Sequence, residues 1–258
     1  MDKIPIALQL YSVREDCAKD FTGTIKAVAE MGYEGVEFFD YYDKDAKQIK
    51  KVLDDLGLKV AGTHTQIDTL LGDELQKTID FNKILENKFL IVPWFPEEYR
   101  SSKSAWLKTA EIMNGIAEKV KPHGMMPGYH NHWTEFQSME GETAWDIFFG
   151  ATNKDVVMQL DTGNALRGGG DCVSILERYP GRAITVHLKP YSKEKGARSG
   201  KEGFRPLIGK DDIPWDDIFR LCETVGKTEW YIVEYESDAY PRLEAVEQCL
   251  LAIRAMGR

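Results

Sequence analysis

The sequence predicts a (β/α)8 barrel, with residues 1–258 forming a single domain. Three observations carry that prediction. The pattern of amphipathic helix, glycine and short strand recurs along the chain. Eight strands can be placed with starts roughly 25 to 45 residues apart. The chain has 258 residues, of which 43% are hydrophobic, enough for one large core.

The pattern is plainest in "AVAEMGYEGVEFF", "VLDDLGLKVAGTH" and "LCETVGKTEWYIVEY". In each, a helical stretch ends at a glycine suited to the left-handed C′ position, and a β-branched or aromatic strand follows within a few residues. Taken in order, strands are expected near Ile6 to Leu10, Gly35 to Phe38, Lys59 to Thr63, Phe89 to Val92, Met126 to Tyr129, Val156 to Leu160, Ala183 to Leu188 and Tyr231 to Val233. Helical patterns fill the intervals. An open doubly wound sheet would need a glycine-rich phosphate loop after its first strand, and "LQLYSVRED" has no glycine. The run Gly168 to Gly170 lacks that context and reads as a loop. The stretch 189–214 after the seventh strand is long and basic, with Lys193, Lys195, Arg198, Lys201, Arg205 and Lys210. It reads either as a lid over an anionic or polyhydroxylated substrate or as a solvated loop.

Composition excludes several classes. A formal net charge of −9 argues against a nucleic-acid binder, which needs a basic surface to displace counterions. The four cysteines are widely spaced, so they form neither a zinc motif nor a disulfide framework and read as reduced core residues. The opening "MDKIPIALQLYS" is too short and too acidic for a signal segment, and no run approaches membrane-spanning length. The expected location is cytoplasmic, with no membrane partner.

In such a barrel the reactive groups stand at the C-terminal ends of the strands. Those positions hold Gln9 and Tyr11, Glu37, His64, Trp94, His130 and His132, Asp161, His187 and Lys189, and Glu234 and Glu236. Four of the five histidines are among them. Two-residue spacing puts His130 with His132, His187 with Lys189, and Glu234 with Glu236 on shared faces. Buried ionisable groups converging at a mouth need a cation among them. Mixed nitrogen and oxygen donors suit Mn2+, Co2+, Fe2+ or Zn2+ better than Ca2+.

At this point the residues resemble a known group. "VVMQLDTGN", "ITVHLKP" and "YIVEYES" are similar to the Asp, His and Glu positions of the xylose isomerase-like TIM-barrel superfamily, with sugar phosphate isomerases and epimerases and inosose dehydratase among its members. The likeness runs from "LQLYSVRED" through "MGYEGVEF" and "YHNHWTEF" to the last helix. It implies one divalent metal ion, Mn2+ first, with Co2+, Zn2+, Fe2+ or Mg2+ as the others. The implied ligands are Asp161, His187, Glu234 and a fourth group from the fifth strand. The family's epimerases place a glutamate at that fourth position; here His130 stands there.

The resemblance implies an enzyme of carbohydrate metabolism. Its expected reaction is isomerisation or epimerisation of a sugar, sugar phosphate or keto-sugar through a metal-stabilised enediolate. A lyase or dehydratase acting on an inosose or 3-keto-glycoside is the alternative, and the histidine on strand five favours it. Expected catalytic groups are Glu234, His132 and Glu37. Expected substrate contacts are His64, Lys189, Trp94, Glu135, Arg205 and Gln9. A phosphodiester hydrolase similar to endonuclease IV would need a multi-zinc cluster and a basic surface, and neither is apparent. A homo-oligomer is compatible with the composition, and so is a barrel that binds sugar without catalysis.

Overall fold

The computed structural model describes residues 3–258. Eight parallel strands close into a barrel: β1 (Ile6–Gln9), β2 (Gly35–Phe38), β3 (Lys59–His64), β4 (Phe89–Val92), β5 (Met126–His130), β6 (Val157–Asp161), β7 (Thr185–Leu188) and β8 (Trp230–Val233). Each strand pairs with its sequence neighbours, and β1 pairs with β8 through Ile6 opposite Tyr231. The expected strands fall where the sequence places them to within two residues. β1 ends one residue early because the Gln9 side chain accepts from Tyr11 N at 3.0 Å and starts a 3-10 turn there. β5 and β6 run on to His130 and Asp161, since both strand ends stay paired.

The glycine stops act as expected after Phe21–Met31 and Ala46–Leu56, where Gly32 and Gly57 take φ of 97° and 71°. The third differs. Helix Trp215–Leu221 runs into a π-turn over Cys222–Gly226, and Lys227, not Gly226, takes the left-handed position, with φ 57°. All four cysteines are buried and free. Among the described residues, no helix is long and apolar enough to cross a membrane.

Strand alternation divides the core in two. Outward residues such as Leu8, Val36, Leu90, Tyr129, Leu160 and Val233 pack under the helices, while Ala7, Ala61, Phe89, Ile91, Val157, Trp230 and Ile232 form a separate apolar cluster. That inner cluster fills the lower barrel. One or two positions further along the same strands, the residues become polar: Gln9, Glu37, His130, Gln159, Asp161, His187 and Glu234 are all buried.

Two small residues make room for the apolar plug. A Cβ on Gly35 would lie 2.9 Å from the Trp230 ring, and one on Gly128 would lie 2.5 Å from Ile91 Cδ1. Gly128→Ala therefore overpacks the plug directly beneath His130. It is expected to destabilise the protein by about 1–3 kcal/mol in denaturant unfolding.

Candidate active site

The strand ends bring His130, Asp161, His187 and Glu234 together, with one donor atom from each inside a 4.8 Å span, and all four are buried. His64 lies beside them and shares such a span with His130 and His187. Each reaches the mouth by strand alternation. His130 ends β5, Asp161 ends β6, His187 lies within β7, and Glu234 follows β8.

Two arrangements hold Asp161 in place. Its Oδ1 caps the next helix by accepting from Asn164 N at 2.7 Å, and its backbone N–H donates to Asn131 Oδ1 at 2.8 Å. Asn131 Nδ2 returns a bond to Asp161 O at 3.1 Å, tying the end of β5 to β6. Asp161 Oδ2 is left buried with no hydrogen-bond partner. It faces His130 Nε2 and His187 Nδ1, both at 3.9 Å, and Lys189 Nζ at 3.8 Å. Burial, reinforced by the Glu234 charge, raises its carboxyl to about 7 against the pull of Lys189. A buried, unbonded carboxylate oxygen among two imidazoles and a second carboxylate is the donor set a divalent cation takes. The four residues fit such an ion.

The neighbouring charges are arranged around that point. His187 donates from Nε2 to Glu37 Oε2 and from Nδ1 to Glu234 Oε2, each at 2.6 Å. Burial opposes its charge, but the two carboxylates prevail and raise the imidazole to about 10. Lys189 Nζ bonds Glu234 Oε1 at 3.1 Å and also Glu236. The buried Glu234 carboxyl is thereby held well below its usual range despite desolvation, with Lys189 and His187 responsible. Burial, with His187 and His64 adding to it, holds the His130 imidazole well below its usual range, in the neutral form.

Glu37 lies under the cluster, not in the mouth. Burial disfavours its charge, yet His64 and His187 hold it ionised, far below the ordinary range. It accepts from Gln9 Nε2 at 2.7 Å, Gln159 Nε2 at 2.8 Å and His187. A β-bulge between Val36 and Glu37 sets it opposite Gly62, where a Cβ would stand 2.6 Å from Glu37 Oε1. Glu37 thus takes His187 Nε2, which leaves Nδ1 as the ring nitrogen turned toward Glu234 and Asp161. Gln9 spends its amide on Glu37 and Tyr11 N.

The remaining candidates divide. His132 lies at the rim, edge-on to Trp94 at 4.9 Å and to His130 at 5.3 Å, with Nδ1 buried and unpartnered. Burial and then Lys189 lower it to about 4, so it is neutral at physiological pH. Arg100 covers one face of Trp94 at 3.9 Å. Glu135 turns away: its oxygens accept from Tyr129 OH at 2.8 Å and His132 N at 2.9 Å, and Tyr129 packs outside the barrel against Phe95, Trp106 and Phe148.

The 189–214 stretch folds around Tyr191, with Ser192 N bonded to Gly203 O and Phe204 4.9 Å from the Tyr191 ring. Lys189 at its start is buried, while Lys193, Lys195, Arg198, Lys201, Arg205 and Lys210 are exposed; Arg205 pairs with Glu202, and its backbone oxygen accepts from Tyr235 OH. Gln159 and Asn131 were not among the expected site residues, although Gln159 shares the face of Asp161 two positions on. A larger cleft, about 720 Å3, opens at the opposite end around Lys59, Phe89 and Trp230, away from the strand ends that carry reactive groups.

The family model described as xylose isomerase-like TIM barrel matches residues 25–256. An inosose dehydratase of Clostridium perfringens is 26% identical over 249 residues, covering 84% of this chain and 83% of the relative. An inosose dehydratase of Erwinia tasmaniensis is 25% identical, with coverages of 84% and 83%. Among solved structures, a sugar phosphate isomerase/epimerase of Parabacteroides distasonis superposes with TM-score 0.83 at 24% identity, covering 99% of this chain and 95% of that one.

A cation taking His187 Nδ1 must displace the proton that Glu234 accepts there. Adding Mn2+ to chelator-treated protein in weak buffer at pH 7 is therefore expected to release between about one and two protons per ion, one from His187 and a fraction from Asp161, whose carboxyl is raised to about 7. Apparent affinity should rise with pH as the His187 charge is lost toward about 10. A pH-independent affinity with no proton release, read by calorimetry in two buffers, would refute it.

Proposed function

The chain belongs to the xylose isomerase-like TIM-barrel family, and from that premise we propose that it is a divalent-metal-dependent lyase removing a β-hydroxyl or β-alkoxy group from a cyclic polyhydroxy ketone such as an inosose. The observation that carries the choice of elimination is the disposition of carboxylates. Epimerisation by two bases needs an acid or base on each side of the reacting carbon. Of the carboxylates considered, Asp161 and Glu234 lie in the ligand cluster, Glu37 is bonded from beneath it, Glu135 faces outward, and Glu236 is paired with Lys189. His130 stands where a second carboxylate would serve that chemistry. The relatives named inosose dehydratase support the same reading.

Asp161, Glu234, His187 Nδ1 and His130 would hold the ion. When bound, it supplies positive charge that polarises a ketone and its neighbouring hydroxyl and so acidifies the C–H between them. The chain's own residues then divide the proton work. His132, neutral and unpartnered at Nδ1, accepts the C–H proton and then gives it to the departing oxygen, which leaves as water or alcohol and restores the neutral imidazole. Lys189, held protonated among Glu234, Glu236 and Asp161, steadies that oxygen with a hydrogen bond as the C–O bond breaks. Trp94, braced by Arg100, offers an apolar edge beside His132 for the C–H face of a ring.

With Mn2+ in D2O, a panel of ketoses, inososes and 3-keto-glycosides is expected to yield a product lighter by water or alcohol from a cyclic ketone. Deuterium exchange at one carbon with a recovered isomer, and no mass loss anywhere in the panel, would instead select isomerisation or epimerisation. His132→Gln is expected to lower kcat about 10^2 to 10^4-fold while leaving Mn2+ affinity within about twofold. Asp161→Asn is expected to abolish both metal binding and turnover, and retention of both would remove the basis of the proposal.

A further inference from the structure

Gln159 is fully buried at the centre of the polar layer and touches three of the site's groups. Its Nε2 lies 2.8 Å from Glu37 Oε1 and 3.0 Å from Thr185 Oγ1, and its Oε1 lies 3.1 Å from both His64 Nε2 and His130 Nδ1. A carboxylate only accepts, so the amide nitrogen must face Glu37. The reverse orientation would press the amide oxygen against a carboxylate oxygen at 2.8 Å. With the amide so fixed, its oxygen can only accept, and both facing ring nitrogens must carry hydrogen. Glu37 Oε2, 3.3 Å from His64 Nε2, makes the same demand.

The consequences differ for the two rings. His130 carries its proton on Nδ1, which leaves the lone pair on Nε2, the nitrogen 3.9 Å from Asp161 Oδ2. His64 carries hydrogen on Nε2, so in the neutral ring the lone pair is on Nδ1, for which the described residues provide no hydrogen bond. The His64 ring, only slightly exposed, forms a wall of a cleft of about 330 Å3 with Phe39, Tyr41 and Phe81.

We propose that Gln159, anchored on Glu37, is a positioning residue that sets the tautomers of two histidines at once. It commits His130 Nε2 to the cation and keeps His64 Nδ1 as a bare acceptor for a substrate hydroxyl. The first half rests on reading the cluster as a cation site; the tautomers themselves do not. A glutamine that merely filled space would fix the tautomer of neither ring.

The chain has five histidines, so a long-range 1H–15N correlation spectrum of the labelled imidazoles is tractable. In the Zn2+-loaded protein we expect His130 protonated on Nδ1 and His64 on Nε2, with His64 keeping that form after chelation. Gln159→Met should give mixed His64 tautomers and weaken Zn2+ and Mn2+ binding about 10 to 100-fold. Thr185→Val, which removes the other partner of the amide nitrogen, should change neither. The opposite tautomers in the unaltered protein, or a folded Gln159→Met variant with both tautomers and affinity intact, would overturn the proposal. If Gln159→Met does not fold, the unaltered spectrum decides. If no ion binds, the cation reading fails while the His64 tautomer still tests the role of Gln159.

Discussion

Three carboxylates buried together at the strand ends of one barrel are the constraint on which the site depends. Glu37, Asp161 and Glu234 are each at most 4% exposed, and none could remain charged there alone. Two cations of the chain itself, His187 and Lys189, bridge them: His187 joins Glu37 to Glu234, and Lys189 joins Glu234 to Glu236. The bridging is incomplete at Asp161 Oδ2, which no hydrogen bond reaches. That imbalance gives the cluster its capacity for another positive charge. It also gives the supporting residues their task, because each ring nitrogen must know whether it is to donate or to accept.

Much of this was legible in the sequence, for a physical reason. Strand alternation is a rigid period, so "ITVHLKP" places His187 and Lys189 on one face, and "YIVEYES" does the same for Glu234 and Glu236. The structure joins the two pairs through Lys189 as that period implies. The strands themselves were legible because β-branched and aromatic runs follow glycine stops. What escaped was direction around the barrel and beyond strand ends. Glu37 obeys the period yet points under the cluster, since a bulge opposite Gly62 sets its depth. Glu135 lies past the strand, where no period applies, and the Tyr129 hydroxyl claims it from outside. Gln159 was passed over because neutral amides carry no charge to flag them, although its place in the alternation was available.

The stretch "GYHNHWTEF" shows how one segment serves several purposes. Gly128 yields space to Ile91, Tyr129 binds the outer aromatic cluster, and His130 joins Asp161, His187 and Glu234 in the buried cluster. Asn131 ties β5 to β6, His132 stands at the rim, and Glu135 closes back on Tyr129 and His132. Two histidines that look equivalent in sequence are thus separated by depth. One is bonded through Gln159 to the centre, and the other keeps an unpartnered nitrogen near the entrance.

The apolar plug of Phe89, Ile91, Val157, Trp230 and Ile232 under the polar layer makes the barrel a vessel with one opening. Whatever reaches the buried carboxylates and imidazoles comes through that passage. Under the proposed function, a ring-shaped substrate over the cluster would act as a stopper and an ion beneath it would leave only after the product, so saturating substrate would protect the ion from chelators without adding a single ligand.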